Sequence, residues 1–275
     1  MVSAVRFFSD HSVLEGHVYR PKGRVGSTPG IVLCHGFAGQ TAPALAAALA
    51  DLGYTVLTFM FSGYGASGRR GEVDCEQQVR DARTAVSFLA SQPGVDADRI
   101  GIVGSSLGGS IAILASAEDE RIAACVAACP IGDGERMMRA RISADDAWRR
   151  HTERIRRARE DGRPVHRFDI VFIPEELREH LPMDTPMEFP ADTFFSVQSL
   201  NAHSAIGKLS PRPLLVLHAV DDDVVPKTES DRLVADAGPS CDYRELEQGN
   251  HFILAQPGVH KSVCEWLTVH LPVAA

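Results

Sequence analysis

The strongest constraint on the fold is the sequence RIGIVGSSLGGSIAILASA at residues 99–117. It opens with a short apolar, β-branched run suited to a buried parallel strand and closes with an apolar run suited to a helix. Between the two runs, Gly104, Ser106 and Gly108 complete a G-x-S-x-G pattern, the sharp strand-to-helix turn that exposes a serine. Glycine suits both flanks because such a reversal presses the backbone against neighbouring chain. Ser106 is therefore the candidate nucleophile, and the alternative is an ordinary serine in a surface turn.

This turn also predicts where negative charge can be stabilised. Ser106 stands at a helix N-terminus, where free N–H groups and the positive end of the helix dipole favour charge developing on a substrate oxygen. The N–H of Leu107 is one such donor. A short apolar run further upstream ends in His35 and Gly36, and this ending can present the N–H of Phe37 towards the same point. Two converging donors form an oxyanion hole, unless the His-Gly pair only shapes a tight turn.

The order of apolar runs predicts the fold class. Residues 2–8 and 13–19 are two strands of an antiparallel hairpin at a sheet edge. Strands and helices then alternate at short intervals up to residue 131, and the alternation resumes at residue 213. Such alternation indicates a parallel sheet with helices on both faces. The sequence therefore predicts an α/β fold with a mostly parallel sheet.

Residues 132–205 interrupt the alternation, and we expect them to form a helical cap inserted into a core made of residues 1–131 and 206–275. Within the insertion, residues 135–160 carry nine arginines and an apolar track, which predicts one amphipathic helix. Interleaved acidic residues favour a solvated, salt-bridged face over a nucleic-acid site. The residues predicted to line an apolar pocket under the cap, or else to form a small satellite core, are Met137, Met138, Trp148, Met183, Met187, Phe189, Phe194 and Phe195.

Composition and charge limit the class of protein. A chain of 275 residues, 44% of them hydrophobic, can bury a large core. The formal net charge of −8 argues against general nucleic-acid binding. No apolar run approaches the roughly 20 residues that cross a bilayer, and the N-terminus lacks a basic start followed by a long apolar run. The sequence therefore predicts a cytoplasmic protein that binds neither membranes nor nucleic acid.

The cysteines are scattered without a C-x-x-C pair, which favours reduced, mostly buried thiols over disulfides or a zinc site. They are Cys34, Cys75, Cys125, Cys129, Cys241 and Cys264.

A serine hydroxyl becomes a nucleophile only when a base removes its proton, and the base needs an acid to orient it. Both partners follow Ser106 in the chain, in loops after predicted strands. Residues 221–223 are three consecutive aspartates, and His251 lies in a short Gly-Asn-His loop. The carboxyl ends of parallel strands are where ligand sites of such sheets lie. Other histidines, such as His218 inside a strand and those of the closing helix, indicate structural or surface roles, and His251 as an ordinary loop residue is the alternative.

The chain resembles α/β hydrolases of the serine esterase and acyl-peptidase type, related to the dienelactone hydrolases. The resemblance covers nearly the whole length outside the cap. It rests on His35-Gly36, the glycine-rich loop of residues 63–68, the turn Gly104 to Gly108, the D-x-x-V-P motif of residues 222–226 and Gly249-Asn250-His251.

The resemblance implies a role for each of these residues. Ser106 would be the nucleophile, Asp222 the acid of the D-x-x-V-P motif, and His251 the general base and then the general acid. The backbone N–H groups of Phe37 and Leu107 would bind the oxyanion. An aspartate nucleophile is disfavoured because Ser106 fills that position.

The expected activity is that of a carboxylesterase-like serine hydrolase. It would cleave esters of a small or medium apolar acyl or aryl group through an acyl-enzyme, with a small-molecule substrate and without a cofactor or metal. An amide in aminopeptidase-like cleavage, a thioester, a lactone or a carbon–carbon bond would suit the same triad. A binding protein that keeps the fold without catalysis is a different class, and the presence of all three triad residues argues against it.

Overall fold

The computed structural model describes residues 1–23, 26–68, 71–171, 175, 178 and 186–273. The strands in this part of the chain are β1 (Val2–Ser9), β2 (Ser12–Tyr19), β3 (Thr28–Cys34), β4 (Thr55–Phe59), β5 (Val95–Ser105), β6 (Ile122–Ala128), β7 (Pro164–His166), β8 (Glu188–Pro190), β9 (Leu214–Ala219) and β10 (Cys241–Leu246). The α-helices are α1 (Pro43–Asp51), α2 (Cys75–Ala90), α3 (Leu107–Glu118), α4 (Gly134–Arg139), α5 (Asp145–Glu160), α6 (Ala191–Ser199), α7 (Thr228–Asp236) and α8 (Pro257–His270).

Eight of the strands form one sheet in the order β1-β2-β4-β3-β5-β6-β9-β10. β1 pairs antiparallel with β2, and β2 with β4, whereas the other neighbours pair in parallel. The predicted N-terminal hairpin and mostly parallel sheet are thus confirmed. All seven residues of β3 are buried, because helices cover a parallel sheet on both sides and its strands are therefore continuous apolar runs.

Helices cover both faces of this sheet, as the alternation predicts. α1 and α8 lie on one face, where Leu45 and Trp266 share an apolar cluster with the sheet. α2 and α3 lie on the other face, where Val86 and Ile111 belong to a second cluster. The carboxyl ends of the parallel strands therefore meet at one edge, where ligand sites of α/β sheets lie.

The prediction of a single helix at residues 135–160 is wrong, because the stretch forms two helices. α4 ends at Arg139, and Ala144 has an extended backbone before α5 begins. In one continuous helix, Met138 and Trp148 would point in directions roughly 80° apart around the axis. The break lets both side chains reach the same apolar cluster. The outer face of α5 carries ion pairs within the helix, as its interleaved charges predict.

Residues 132–205, referred to below as the cap segment, lie between β6 and β9 and contain α4, α5, the β7–β8 ribbon and α6. Glu229 of α7 fixes the start of this segment through hydrogen bonds. Its buried carboxylate accepts the backbone N–H groups of Gly132 at 3.1 Å and Asp133 at 2.9 Å. It also accepts from Nε and Nη2 of Arg136, at 2.7 and 2.8 Å.

The cysteines are all free, and all but Cys241 are buried, as predicted. None of the helices in the described part of the chain combines the length and the apolar character that a bilayer crossing requires.

Candidate active site

The turn after β5 places Ser106 at the start of α3 with a strained backbone. Ser106 has φ 55° and ψ −125°, with φ in the positive range that residues other than glycine rarely adopt. A Cβ atom on Gly104 would lie 2.0 Å from the carbonyl oxygen of Gly108, and one on Gly108 would lie 2.3 Å from that of His35. Glycine is therefore required at both flanks, and the surrounding backbone holds the serine in a conformation that it would not adopt alone.

Ser106, His251 and Asp222 meet at the carboxyl ends of the parallel strands. Oγ of Ser106 lies 2.8 Å from Nε2 of His251, and Nδ1 of His251 lies 2.8 Å from Oδ2 of Asp222. An ionised carboxylate only accepts, so Nδ1 donates to Asp222 and Nε2 is left to accept the hydroxyl proton of Ser106. Each of the three residues is at most 8% exposed. This arrangement is the one that base-assisted attack by a serine needs.

The Asp222 carboxylate is held in its ionised form. Its Oδ1 accepts the backbone N–H groups of Val224 and Val225, both at 2.8 Å. Burial by itself raises the pKa of Asp222, but the charge and hydrogen bonds of His251 and His218 outweigh burial and hold the pKa well below its ordinary value. The carboxylate therefore remains a fixed acceptor for His251 at neutral pH.

A second histidine reaches the same carboxylate. Nε2 of His218 lies 3.3 Å from Oδ2 of Asp222 and 3.0 Å from the carbonyl oxygen of Val225. Its Nδ1 lies 2.7 Å from Oγ of Ser230. Because a carbonyl only accepts, Nε2 carries a proton and faces Asp222 as an additional donor. Position inside a strand gave no sequence signal for this contact, which depends on how β9 packs beside the loop that follows it.

Asp221 contacts a different part of the site from Asp222. Its carboxylate accepts the N–H of Asn250 at 3.1 Å, in the loop that carries His251. Asn250 has φ 50°, so the loop turns sharply just before the histidine. Of the three consecutive aspartates, the structure brings Asp222 to the histidine ring and Asp221 to the loop backbone, while Asp223 is exposed.

The turn after β3, residues 35–39, is fixed by hydrogen bonds to the carbonyl oxygen of Gly36. That oxygen accepts the N–H of Gly39 at 3.0 Å and Nδ1–H of His35 at 2.8 Å. Nε2 of His35 accepts the N–H of Phe61 at 3.0 Å. Both ring nitrogens are therefore used in the neutral ring, and burial lowers the pKa of His35 to about 4.

The Phe37 N–H, one of the two predicted oxyanion donors, belongs to the same peptide as the Gly36 carbonyl. Since the C=O and N–H of a trans peptide point to opposite sides, fixing the oxygen also fixes the direction of this N–H. The turn passes close to the serine, because a Cβ on Gly36 would lie 3.1 Å from Cβ of Ser106. The other predicted donor, Leu107, is the first residue of α3, whose opening N–H groups have no partner within a helix.

The next carbonyl of this turn is also held. The carbonyl oxygen of Phe37 accepts the hydroxyl of Tyr64 and Nη2 of Arg167, both at 3.0 Å. Tyr64 belongs to the loop after β4, whereas Arg167 belongs to the cap segment. The turn beside Ser106 is therefore held by hydrogen bonds from both the loop after β4 and the cap segment.

Ser106 and His251 open into a pocket of about 250 Å³. Its lining comes mainly from the end of β3, the turn that follows and the start of α1, and is largely apolar. Among the described lining residues, Arg167 carries a positive charge and none is acidic. The lining residues that had not been identified from the sequence carry no motif signal, since even Val224 occupies a variable position of D-x-x-V-P. These residues include Arg167, Val171, Val224, Phe252 and Leu254.

The cap residues predicted to line a pocket do not line this one over its described part. Met137, Met138, Trp148 and Phe194 are buried in the apolar cluster on the α2–α3 face of the sheet. The Phe194 ring lies 6.1 Å from the Trp148 ring and 5.3 Å from that of Phe195, which packs against the same cluster. The cap segment rests directly on that face, so these side chains are used for packing. These four residues therefore form neither the lining of the described pocket nor a core separate from that of the sheet.

The remaining residues of that prediction are Met183, Met187 and Phe189, of which Phe189 belongs to the same apolar cluster. Met187 is exposed, and Phe189 is buried with its ring 5.0 Å from that of Phe37. Met183 lies outside the described residues.

One group of side chains has the composition of a metal site. Atoms of Cys129, Asp222 and His251 lie within 4.8 Å of one another. Burial, and then the charge of Asp222, raise the pKa of the Cys129 thiol well above its ordinary value, whereas metal binding needs the thiolate. The nitrogen and oxygen atoms are engaged in the hydrogen bonds to Ser106 and within the pair. The donor set therefore does not fit a resident metal.

A protein-family model described as "Serine aminopeptidase, S33" matches residues 28–258. Among curated proteins, the chain is similar to the thiohydrolase aneE of Aspergillus aculeatus, with 36% identity over 135 residues, 47% of this chain and 42% of the relative. The chain spans about half the length of the curated relatives that it matches.

Two solved structures have the same fold. DcsB in complex with its substrate analogue has a TM-score of 0.85 at 18% identity and is matched over 98% of this chain and 99% of its own. The α/β hydrolase GrgF from a Penicillium species has a TM-score of 0.79 at 21% identity, again over 98% and 99%.

Proposed function

Because the chain belongs to the serine aminopeptidase (S33) family of α/β hydrolases, we propose that it is a serine hydrolase that cleaves a carboxylic ester of a small or medium-sized acyl or aryl group. The observation that carries the proposal is the continuous series of hydrogen bonds from Ser106 through His251 to Asp222, which opens into an apolar pocket. The substrate is a small molecule, and the chemistry needs neither a metal nor a cofactor.

Acylation begins when Oγ of Ser106 attacks the ester carbonyl. The hydroxyl proton passes to Nε2 of His251, and negative charge develops on the former carbonyl oxygen. The N–H groups of Phe37 and Leu107 stabilise that charge in a site with little water. When the carbon–oxygen bond of the leaving group breaks, the proton on His251 goes to the departing alcohol.

Deacylation repeats these steps with water. His251 takes a proton from the water, whose oxygen attacks the acyl carbon, and the proton then returns to Ser106 as the acid is released. Asp222 keeps Nδ1 of His251 protonated throughout, so Nε2 always faces the reacting oxygen. His218, which also donates to Asp222, holds that carboxylate in place.

The size and composition of the pocket support a small, largely apolar substrate. Its volume of about 250 Å³ lies just below the roughly 300–1,000 Å³ usual for small-molecule sites. We further propose that residues 1–131 and 206–275 form the catalytic core and that residues 132–205 act as its cap, since Arg167 of this segment reaches the pocket wall.

The direct test is hydrolysis of p-nitrophenyl esters from acetate to octanoate, by the wild-type protein, Ser106→Ala and Ser105→Ala. The wild type and Ser105→Ala should hydrolyse short esters and react with a fluorophosphonate probe, whereas Ser106→Ala should do neither. Loss of activity in both variants would indicate damage to the turn instead. A folded wild type that is inert to every ester and to the probe would overturn the proposal.

A thioester is the second candidate substrate, because the curated relative aneE is named a thiohydrolase. Acyl-N-acetylcysteamine thioesters, compared with the ethyl esters of the same acids, would separate the two. A kcat/KM for the thioester that exceeds that for the ester by more than the difference in their spontaneous hydrolysis would favour the thioester.

A further inference from the structure

Arg167 combines complete burial with a position in the wall of the pocket. It lies in a single turn of 3₁₀ helix, Arg167–Asp169, of the cap segment, and its exposed fraction is 0%. It lines the same pocket as Ser106 and His251. The positive charge of Arg167 therefore lies at the proposed substrate site.

Among the residues that the structure describes, the partners of the Arg167 guanidinium are neutral. Nη2 donates to the carbonyl oxygen of Phe37 at 3.0 Å, and Nη1 donates to that of Pro186 at 3.3 Å. The guanidinium carbon lies 5.3 Å from the centre of the Phe37 ring. Nε is buried and has no hydrogen-bond partner in the described part of the chain. Within the described ranges, no carboxylate forms an ion pair with Arg167, whereas Arg136 pairs with Glu229 and Arg121 with Asp119.

These contacts do not explain why the residue is charged. A neutral amide could donate to both carbonyls without the cost of taking a cation out of water. The Phe37 oxygen, moreover, already has the hydroxyl of Tyr64 as a donor. Burial lowers the pKa of Arg167 to about 10, so the guanidinium remains protonated at neutral pH. A buried charge with spare donors in a ligand pocket is instead suited to an anion that arrives with the ligand.

We propose that Arg167 binds a carboxylate of the substrate, so that the preferred substrate is a short ester bearing a free carboxylate, such as the half-ester of a dicarboxylic acid. The inference rests on the proposed function and names its substrate class. The guanidinium donates to the carbonyl of Phe37, and the N–H of the same residue is the proposed oxyanion donor, so backbone dimensions place the two donors within roughly 7 Å of each other. The carboxylate and the ester carbonyl would therefore be separated by only a few carbon atoms.

The kinetic test compares ethyl hydrogen succinate with ethyl succinamate, which has the same shape and no charge, by measuring the ethanol released. We expect the wild type to favour the anion in kcat/KM by roughly 10- to 100-fold, the effect of a charged hydrogen bond. Arg167→Met should reduce this ratio to near one, mainly through KM for the anion, and Arg167→Lys should keep part of it. Arg156→Met is the matched control, because Arg156 is an exposed cap arginine whose partner, Glu153, lies within α5 and away from the turn that carries Arg167.

The selectivity ratio separates recognition from a positioning role. Any damage to the turn that contains Phe37 lowers both rates together and leaves the ratio unchanged. A wild type without preference for the anion, or an Arg167→Met variant that lowers both rates equally, would overturn the inference. Acetyl glycolate, which carries its carboxylate on the alcohol side, tests which side of the ester faces Arg167.

A binding measurement makes the inference independent of turnover. Calorimetry on Ser106→Ala should detect ethyl hydrogen succinate and not ethyl succinamate, and the signal should disappear in Ser106→Ala/Arg167→Met. Thermal unfolding checks that each variant is folded, with Arg167→Lys taking the place of Arg167→Met if that variant is not. Arg167-dependent binding without any hydrolysis by the wild type would contradict the proposed function and leave the anion site standing.

Discussion

Buried charges in the core and in the cap segment differ in the partners that surround them. In the core, the buried carboxylate of Asp81 accepts from Ser9 and from the backbone N–H of Ser62, and Asp222 accepts from two N–H groups and from His251. In the cap segment, the partners of buried Arg167 among the described residues are neutral. Where a charge has its full complement of partners, it fixes geometry. Where a buried charge lacks a charged partner, a ligand of opposite charge can supply one, and the interaction then contributes to binding. We therefore propose that the core carries out the reaction and that the cap segment selects the substrate.

The largest expected effect is in the core. His251→Ala removes the acceptor of the Ser106 proton and should lower kcat roughly 10⁴- to 10⁶-fold. His203→Ala, which removes a cap-segment histidine paired with Asp236, should leave kcat nearly unchanged. Steady-state kinetics on a neutral short ester, with circular dichroism as a check on folding, provide the comparison. Comparable losses of kcat in both variants would contradict the proposal that the core alone carries out the reaction.

Asp222→Asn should have the next largest effect. An amide cannot hold His251 in the tautomer that leaves Nε2 free, so kcat should fall roughly 10³- to 10⁴-fold. Asp221→Asn is the matched control, because its one side-chain oxygen can still accept the N–H of Asn250, the shorter of the two loop contacts of Asp221. A larger loss in Asp221→Asn than in Asp222→Asn would reassign the acid.

Glu229→Gln tests a fully partnered charge at the junction of the two regions. It leaves half-buried Arg136 without its carboxylate, so the free energy of unfolding should fall by about 2 kcal/mol. Urea denaturation measures the change. Glu265→Gln on the exposed face of α8 should change stability far less, since its ion pair with Lys261 is solvated. No loss in Glu229→Gln would show that the junction does not depend on this pair.

Arg167→Met should have the smallest effect, and in the opposite direction. The folded protein binds the Arg167 proton less tightly than the unfolded chain, because burial lowers the pKa to about 10. The charge therefore lowers stability at all pH values below about 10, and its removal should raise the free energy of unfolding by about 1 kcal/mol. Urea denaturation at pH 7, with Arg156→Met as the control, tests this. A clear loss of stability would mean that the two carbonyl contacts outweigh the cost of burial.

The features that could be predicted from the sequence are those that the local backbone determines. The flanks of Ser106 need glycine because of contacts within a few residues, and the apolar runs before and after it determine a strand and a helix. Asp222 and His251 follow strands of one parallel sheet, so their side chains meet at its carboxyl edge. The mostly parallel sheet and the positions of Asp222 and His251 after its strands follow from repeating patterns along the chain.

The features that could not be predicted depend on packing between distant segments. Arg167 is one of many arginines in its region, and only the approach of its turn to Phe37 distinguishes it. The break between α4 and α5 likewise follows from the need to bury Met138 and Trp148 in one cluster. Position inside a strand also hid the contact of His218 with Asp222, which only the folded loop creates.

The two hydrogen bonds of the His35 ring have a consequence in mild acid. From its ordinary pKa of 6.5 down to about 4, the unfolded chain takes up a proton that the buried ring of the folded protein does not bind. Acidification through this range therefore removes stability. Protonation of Nε2 would also turn the acceptor for the Phe61 N–H into a donor. We therefore expect mild acid to weaken the hydrogen bonds that hold the turn beside Ser106.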